Sequence, residues 1–321
     1  MAVESPPSGR NHSCPVAFLR TGTGDWTPRM VCTRLLLSVA TLGVACMYAG
    51  CIAPTFSAAV TLPPTQQGTV APLGQGGVWQ LIFSDEFEGT ALNSEKWVRC
   101  YWWDYDGCTN LGNRELQWYL PENVTIGDGM LRLRADRKTV TGRGDSYDFT
   151  SGIVTTGRDV AATFKPAKFD FQFGYAEMRA RVPAGRGLFP AFWMLPSSHH
   201  PTPEIDIMEV LGHKPNHLYT YFHYRDSRGQ AKKGEGVTQR ASLADDWHVY
   251  AVDWRPDRII WYLDGVECWR YEDLKHIPQE RMYLLINLAV GGEWPGPPDS
   301  KTPFPSDLSV DYVRVWREVR Q

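Results

Sequence analysis

Short segments in which apolar and polar residues alternate recur along the chain from Val78 onward, separated by Gly, Pro, Asp and Asn. This period of two is typical of a β-strand with one buried face. Many such strands at short intervals predict an all-β fold built as a sandwich of two sheets. Representative segments are M-L-R-L-R-A at 130–135, G-Y-A-E-M-R-A-R-V at 174–182, W-H-V-Y-A-V-D-W at 247–254 and V-D-Y-V-R-V-W at 310–316. Within W-Y-L-D-G-V-E-C-W, the dipeptide Asp264-Gly265 predicts a two-residue hairpin turn.

The N-terminal region differs from the rest of the chain. Residues 1–29 are rich in Gly, Pro and Ser, and Met30 is an alternative start. Arg29 and Arg34 precede an apolar run at 35–49, which has the length of a signal-peptide core and is short for a membrane span. The run predicts export, so we expect the protein to be secreted, periplasmic or attached to the cell envelope.

Two cleavage modes remain open after this run. Tyr48-Ala49-Gly50-Cys51 resembles a lipoprotein box, which would place a lipid anchor on Cys51, whereas Ser57-Ala58-Ala59 offers an ordinary small-x-small site. The interpretation is therefore an N-terminal extension and signal peptide at 1–59, a flexible linker at 60–77 and a globular domain at 78–321.

The cysteines and the net charge restrict the partners. Cys100 and Cys108 are candidates for a disulfide in an exported protein, and Cys268 stands alone. Their spacing fits no zinc pattern. A net charge of −3 with interspersed signs argues against a nucleic-acid partner. We expect a monomer without a membrane span.

Aromatic residues are frequent, with 13 Trp and 14 Tyr. Some must fill the sandwich interior, and for any single Trp a core position is the simpler interpretation. Several lie among polar residues, however, where rings can stack on the C–H faces of sugars. As a set they favour a carbohydrate cleft; the clusters are Tyr101-Trp102-Trp103, Trp118-Tyr119 and Gly292-Glu293-Trp294-Pro295-Gly296.

The segment E-I-D-I-M-E at 204–209 places three carboxylates in an apolar strand, where an unpartnered carboxylate is costly. Glu204 and Asp206 share a face, but Glu209 lies at an odd offset from Glu204 and would point away in a regular strand. One β-bulge between Asp206 and Glu209, with Met208 as the extra residue, restores the parity.

Two glutamates on one face can approach to about 5–5.5 Å, the separation of retaining glycosidases. Asp206 between them can orient one glutamate, and repulsion between the carboxylates should raise one pKa toward the value that a general acid needs. A calcium cluster or a solvent-facing edge strand are the alternatives. Calcium ligands usually come from loops rich in Asp, Asn and Gly, which an Ile/Met-lined strand does not match.

The segment E-I-D-I-M-E resembles the active-site strand of glycoside hydrolase family 16 in its laminarinase-type form. The resemblance extends over most of residues 79–317 and implies a concanavalin-like β-jelly roll of two curved antiparallel sheets. It implies that Glu204 is the nucleophile, Asp206 the assisting carboxylate and Glu209 the general acid/base. Further motifs in family order are F-S-D-E-F-E-G at 83–89, N-R-E-L-Q-W-Y at 113–119, G-L-F-P-A-F-W-M-L at 187–195, L-A-V-G-G-E-W-P-G at 288–296 and V-D-Y-V-R-V-W at 310–316.

The resemblance also implies residues outside the triplet. Asp311 is similar to a calcium ligand on the convex side, together with backbone near Gly129, although no cofactor is needed for the chemistry. Phe189 departs from the family, which often has Trp there, and the aromatic loop 99–112 is longer than in a minimal β-1,3-glucanase. Cleft-lining residues are implied at Asn113, Glu177, Arg179, Trp193, His223 and Asn287, to which the aromatic clusters add Trp103 and Trp294.

The functional prediction is a retaining endo-glycosidase that cleaves β-1,3-glucan or mixed-linkage β-1,3-1,4-glucan. The same chemistry on a bacterial exopolysaccharide or an algal galactan, including transglycosylation, is the first alternative. The second is a non-catalytic carbohydrate-binding protein on the same fold. The three carboxylates favour catalysis, because binding alone does not need them.

Overall fold

The computed structural model describes residues 70–102, 109–159 and 165–319. Regular structure in these residues is almost entirely β-strand, with two short 3₁₀ helices at Leu111–Asn113 and Pro121–Asn123. The prediction of an all-β fold is confirmed.

The strands of the described residues are numbered along the chain. They are short in the two-stranded sheets and longest near the C-terminus. In order they are β1 (Trp79–Asp85), β2 (Gln117–Tyr119), β3 (Val124–Gly127), β4 (Met130–Ala135), β5 (Val140–Gly142), β6 (Asp145–Tyr147), β7 (Phe149–Ser151), β8 (Ile153–Thr155), β9 (Gly174–Arg181), β10 (Leu188–Pro196), β11 (Glu204–Glu209), β12 (His217–Arg225), β13 (Ala231–Gln239), β14 (His248–Trp254), β15 (Ile259–Leu263), β16 (Val266–Tyr271), β17 (Met282–Val290) and β18 (Ser306–Glu318).

Two antiparallel sheets carry most of these strands. The eight-stranded sheet has the order β16-β15-β14-β9-β18-β4-β3, with β1 paired to β18. The six-stranded sheet has the order β13-β12-β11-β10-β17-β8, so β11 lies near its middle. A parallel pair, β2 with β7, and the hairpin β5–β6 complete the described pairing. The predicted two-sheet sandwich is confirmed.

The core lies between the two sheets and follows from the alternation along each strand. On β9, Ala176, Met178 and Ala180 join the main apolar cluster, so Glu177 and Arg179 must point to the other face. Burying an apolar face stabilises the fold by roughly 25 cal/mol per Å² of apolar surface removed from water, and this free energy drives the sheets together. The strand pattern thus decides which side chains remain available for chemistry.

The predicted hairpin turn joins β15 to β16. Asp264 and Gly265 have φ values of 52° and 75°, the left-handed conformation that a type I′ turn needs at both central residues. The prediction from this dipeptide is confirmed.

The described part of the predicted linker, residues 70–77, packs on the eight-stranded sheet and is not a free linker. The Trp316 indole donates a hydrogen bond to the Val70 carbonyl at 2.6 Å, and the Leu73 amide donates to the Glu177 carboxylate at 3.1 Å. Both side chains are buried, and their polar atoms need partners. The backbone of 70–77 supplies those partners, so the folded part begins before Val78.

Candidate active site

Strand β11 carries the three predicted carboxylates and has an irregular register. Against β12, Asp206 pairs with Tyr221 and Glu209 with Tyr219, so β11 has one residue more than its partner. The predicted bulge is confirmed. Against β10, Asp206 pairs with Trp193 and Met208 with Phe192, which leaves Ile207 as the extra residue. The prediction that Met208 would be the extra residue is wrong.

The bulge brings all three carboxylates to one cleft. Glu204, Asp206 and Glu209 all line it, while Ile205, Ile207 and Met208 are fully buried in the core. From the opposite sheet, the Trp261 indole donates a hydrogen bond to the Asp206 carbonyl at 2.8 Å. This bond satisfies a backbone acceptor beside the bulge, where the ladder is interrupted.

The electrostatics of the three carboxylates follow from their enclosure. Burial is the largest cause that raises the pKa of Glu204 well above its ordinary value, and the charges of Asp206 and Glu209 add to it. Burial and Asp206 likewise raise the pKa of Glu209, which the Lys233 ammonium opposes. Glu204 and Glu209 still keep some surface open to the cleft. The two glutamates therefore resist ionising together.

Asp206 is only 2% exposed, and its carboxylate faces His223. His223 pairs with Glu204 across the β11–β12 ladder, and its Nε2 atom lies 3.2 Å from Asp206 Oδ2. This contact lacks the angles of a hydrogen bond, and Asp206 Oδ2 has no hydrogen-bond donor among the described residues. The predicted cleft position of His223 agrees with the structure.

A chain of hydrogen bonds forms one wall of the cleft. The Trp193 indole donates to Asn287 Oδ1 at 2.8 Å, and Asn287 Nδ2 donates to the Tyr119 hydroxyl at 3.0 Å. Tyr119 donates to Glu115 Oε2 at 3.5 Å, while Asn113 Nδ2 donates to Glu115 Oε1 at 3.2 Å. Three predicted cleft residues are thus connected through Glu115 and Tyr119.

Sequence reasoning missed Glu115 as a site residue. Burial is the largest cause that raises its pKa, and its hydrogen bonds to Gln117 and Asn113 lower it. A signal was present: Glu115, Gln117 and Tyr119 alternate within the motif N-R-E-L-Q-W-Y, which places polar groups on one side. Trp118 and Tyr119 are both buried, so within the aromatic set this pair belongs to the core and is not an exposed sugar platform.

Aromatic side chains border the cleft beside Glu209. Trp294 is 41% exposed and contacts Phe189, Tyr219 and Tyr221 edge to face at 5.4, 4.9 and 5.9 Å between ring centroids. A ring held by three others keeps its orientation and still presents surface to a ligand. The cleft position predicted for Trp294 agrees with the structure.

Other aromatic rings border the cleft beside Glu204. Tyr101, Trp102, His199 and His200 line this part, and Trp102 stacks obliquely on His199 at 4.6 Å. A cleft with rings at several places along its length suits a chain of sugars better than a single small molecule.

Comparison with known proteins identifies the family. The model described as glycosyl hydrolases family 16 matches residues 115–314. The chain belongs to glycoside hydrolase family 16.

Relatives within the family carry glucanase names. A β-glucanase of Rhodothermus marinus is 36% identical over 266 residues, covering 75% of this chain and 86% of that protein. The endo-1,3-1,4-β-glycanase EglC of Rhizobium meliloti is 34% identical over 249 residues, covering 73% of this chain and only 51% of that protein. An endo-β-1,3-glucanase from Pyrococcus furiosus superposes with a TM-score of 0.64 and 34% identity, covering 76% of this chain and 96% of that one. The predicted jelly roll of this family is confirmed.

Two of the family-derived predictions are wrong in position. Glu177 and Arg179 lie on β9 in the eight-stranded sheet and point away from the core, so they do not line the cleft of the six-stranded sheet. Glu177 accepts hydrogen bonds from Leu73 and Tyr312, and Arg179 pairs with Asp311 at 2.6 Å. Both belong to the structural framework of the opposite sheet.

The remaining predictions concern calcium, the disulfide and the loop 99–112. The carboxylate of Asp311 already accepts a hydrogen bond from the Arg179 guanidinium. Gly129 lies in the turn between β3 and β4. Calcium prefers six to eight oxygen ligands, and its binding at Asp311 stays a prediction. Trp103 and Cys108 lie outside the described residues, and the pairing of Cys108 with Cys100 stays a prediction.

Proposed function

We propose that this family 16 enzyme is a retaining endo-β-glucanase that cleaves β-1,3-glucan or mixed-linkage β-1,3-1,4-glucan. The observation that carries the proposal is the bulged strand β11, which turns Glu204, Asp206 and Glu209 into one cleft. The names of its relatives, β-glucanase and endo-β-1,3-glucanase, supply the substrate class.

The reaction proceeds in two displacements. Glu204 attacks the anomeric carbon while Glu209 donates its proton to the glycosidic oxygen, so the C–O bond to the leaving sugar breaks. Glu209 then takes a proton from water, whose oxygen attacks the anomeric carbon and expels Glu204. The anomeric configuration is inverted twice and therefore retained.

The charges of the site support these roles. The mechanism needs one ionised and one protonated glutamate, and the raised pKa values of Glu204 and Glu209 oppose double ionisation. Asp206 lies between them and disfavours a second negative charge beside it. Lys233 favours the carboxylate form of Glu209, the form that Glu209 adopts after it has donated its proton.

The cleft geometry supports internal cleavage of a polymer. Aromatic rings lie on both sides of the carboxylates, so sugars can bind on both sides of the bond that breaks. The hydrogen-bond chain from Trp193 to Asn113 keeps polar groups oriented along the wall. Such preorganisation reduces the entropy lost when the polymer binds.

The proposed setting is extracytoplasmic and the proposed partner is a polysaccharide. The apolar run at 35–49, which predicts export, and Cys51, the candidate lipid site, lie outside the described residues. Among residues that the structure describes, no helix has the length and hydropathy needed to cross a membrane. A monomer is the proposed state, and calcium remains a proposed structural ion at Asp311.

Hydrolysis of a substrate panel tests the proposal. Laminarin, lichenan, agarose and a bacterial exopolysaccharide are incubated with the enzyme, and reducing ends and oligosaccharide lengths are measured. We expect internal cleavage of laminarin or lichenan, with the β-anomer as the first product in ¹H NMR. Activity confined to another polymer would overturn the substrate, and tight binding without any cleavage would favour a carbohydrate-binding protein.

A further inference from the structure

Three side chains in the cleft bring together the ligand atoms of a metal site. One ligand atom each from Glu204, Asp206 and His223 lies within 4.8 Å of the other two. It is the only such group of three among the residues that the structure describes. We propose that these residues bind a Zn²⁺-type transition-metal ion that blocks the nucleophile.

The spacing of two ligands matches a tetrahedral zinc site. Ligands about 2.0–2.1 Å from Zn²⁺ lie about 3.3–3.4 Å from each other at the tetrahedral angle. His223 Nε2 and Asp206 Oδ2 are 3.2 Å apart. A metal ion can therefore bridge them with little movement of either side chain, while Glu204, which faces the cleft, completes the set.

The Asp206 carboxylate has an unused acceptor at this point. Asp206 is 2% exposed, and its Oδ2 atom has no hydrogen-bond donor among the described residues. Buried carboxylate oxygens normally have such a partner, because leaving one unsatisfied is costly. A cation held against His223 supplies the missing partner and offsets the repulsion between Asp206 and Glu204.

The donor set selects the class of metal. One imidazole and two carboxylates leave a fourth position open toward the cleft, the arrangement of three-ligand zinc sites. Ca²⁺ and Mg²⁺ prefer sites built from oxygen alone, and an imidazole suits them poorly. We therefore expect Zn²⁺ and Co²⁺ to bind, and Ca²⁺ and Mg²⁺ not to compete.

Metal binding would act on the reaction through Glu204. A Glu204 oxygen coordinated to the ion cannot attack the anomeric carbon, and the ion occupies space that the sugar needs. Zn²⁺ should therefore inhibit competitively with the glycan. This consequence rests on the proposed function, whereas the metal site itself does not.

Binding is measured by titration calorimetry on the protein purified without a polyhistidine tag, with Zn²⁺ as the probe. The test variant is His223→Gln. The matched control is His248→Gln, because His248 lies 2.8 Å from Asp264 on the eight-stranded sheet in a His–Asp pair to which the described residues add no third ligand. Loss of a ligand should weaken Zn²⁺ binding at least about tenfold in His223→Gln. His248→Gln should keep the wild-type affinity.

Two further measurements keep the test decisive. Glu204→Gln, which preserves size, should also weaken Zn²⁺ binding, so the site can be judged if His223→Gln does not fold. Co²⁺ bound to the wild type should give visible absorption bands. Zn²⁺ should abolish these bands by displacing Co²⁺, whereas Ca²⁺ in roughly tenfold excess over the protein should leave them unchanged.

The outcomes separate the metal site from the proposed function. Equal Zn²⁺ affinity in the wild type, His223→Gln and Glu204→Gln, or no Zn²⁺ binding to the wild type, would overturn the inference even if glucan is cleaved. Weakened binding in both variants would support the site even if neither glucan is a substrate. Inhibition that rising laminarin concentration does not relieve would overturn the competitive action.

Discussion

Glutamates with raised pKa values occur in both sheets, and their surroundings differ. Glu177 in the eight-stranded sheet is 1% exposed and accepts hydrogen bonds from the Leu73 amide and the Tyr312 hydroxyl. Burial is the largest cause that raises its pKa, and it is also the largest for Glu204 in the six-stranded sheet. A raised pKa therefore does not by itself distinguish a structural carboxyl group from a reactive one.

The neighbouring groups make the distinction. Around Glu177, two hydrogen bonds and the charge of Arg314 favour the carboxylate and partly offset burial. Around Glu204, the charges of Asp206 and Glu209 both add to the effect of burial. The first carboxylate is satisfied within the framework, whereas the second belongs to a group whose repulsion is relieved by a proton or a cation. Such a group can exchange a proton during a reaction.

The largest expected effect on activity comes from replacing a reacting carboxylate. Glu204→Gln should lower kcat/KM on laminarin about 10⁴-fold or more, because an amide cannot act as the nucleophile. Glu177→Gln, a change of the same size and chemistry on the opposite sheet, should leave kcat/KM unchanged. Initial rates of reducing-end release, with thermal melting to confirm folding, measure both. A loss of activity in Glu177→Gln as large as that in Glu204→Gln would contradict the assignment of Glu177 to the structural framework.

A smaller effect is expected at the wall of the cleft. Glu115→Gln leaves one acceptor oxygen where Asn113, Gln117 and Tyr119 all donate hydrogen bonds. Misplacement of the wall should lower kcat/KM about 10- to 100-fold. The exposed Glu122→Gln is the control and should have wild-type kinetics.

A double substitution tests whether Glu115 acts through Asn113. If Glu115 positions Asn113, then Asn113→Ala should cost less in the Glu115→Gln background than in the wild type. Strictly additive losses in kcat/KM would argue that Glu115 supports the fold only.

Local patterns predicted the strands and the irregularity in β11, because both depend on residues near in sequence. Alternation gave the strand faces, and the odd offset between Glu204 and Glu209 required one extra residue. The identity of that residue depends on registers with β10 and β12, which are distant in sequence. Parity alone could not separate Ile207 from Met208.

Placement on the correct sheet was beyond local patterns. Glu177 and Arg179 alternate with apolar residues as a cleft strand would, and only the pairing of β9 with β14 and β18 assigns them to the opposite sheet. Residues 70–77 resemble a linker in composition, but their backbone satisfies buried groups on β9 and β18. Each of these cases depends on contacts between distant parts of the chain.

Glu177 and Glu204 should have similar effects on the pH dependence of stability, although only Glu204 should affect activity. The folded-state pKa values of Glu177 and Glu204 are raised above the ordinary value of 4.5. At pH values between the ordinary pKa and the raised folded-state pKa, the folded state binds more protons than the unfolded state. The free energy of unfolding therefore falls as pH rises through this range. Either Glu→Gln substitution should flatten this fall, which urea denaturation at a series of pH values above the ordinary 4.5 measures. A stability that rises with pH more steeply in the variants would contradict the shifts.

The smallest expected effect comes from a charge beside Glu209 in the six-stranded sheet. Lys233 lies over the Tyr221 ring at 4.6 Å and lowers the pKa of Glu209, against the larger effect of burial. A nearby positive charge favours the carboxylate, so Lys233→Met should raise that pKa. Because the reaction needs protonated Glu209, the alkaline limb of kcat/KM should move to higher pH. Lys232→Met, on the opposite face of the same strand, should leave the limb in place, and high salt should reduce the difference between the two variants. A shift to lower pH in Lys233→Met, or equal shifts in both variants, would remove Glu209 from the role of general acid.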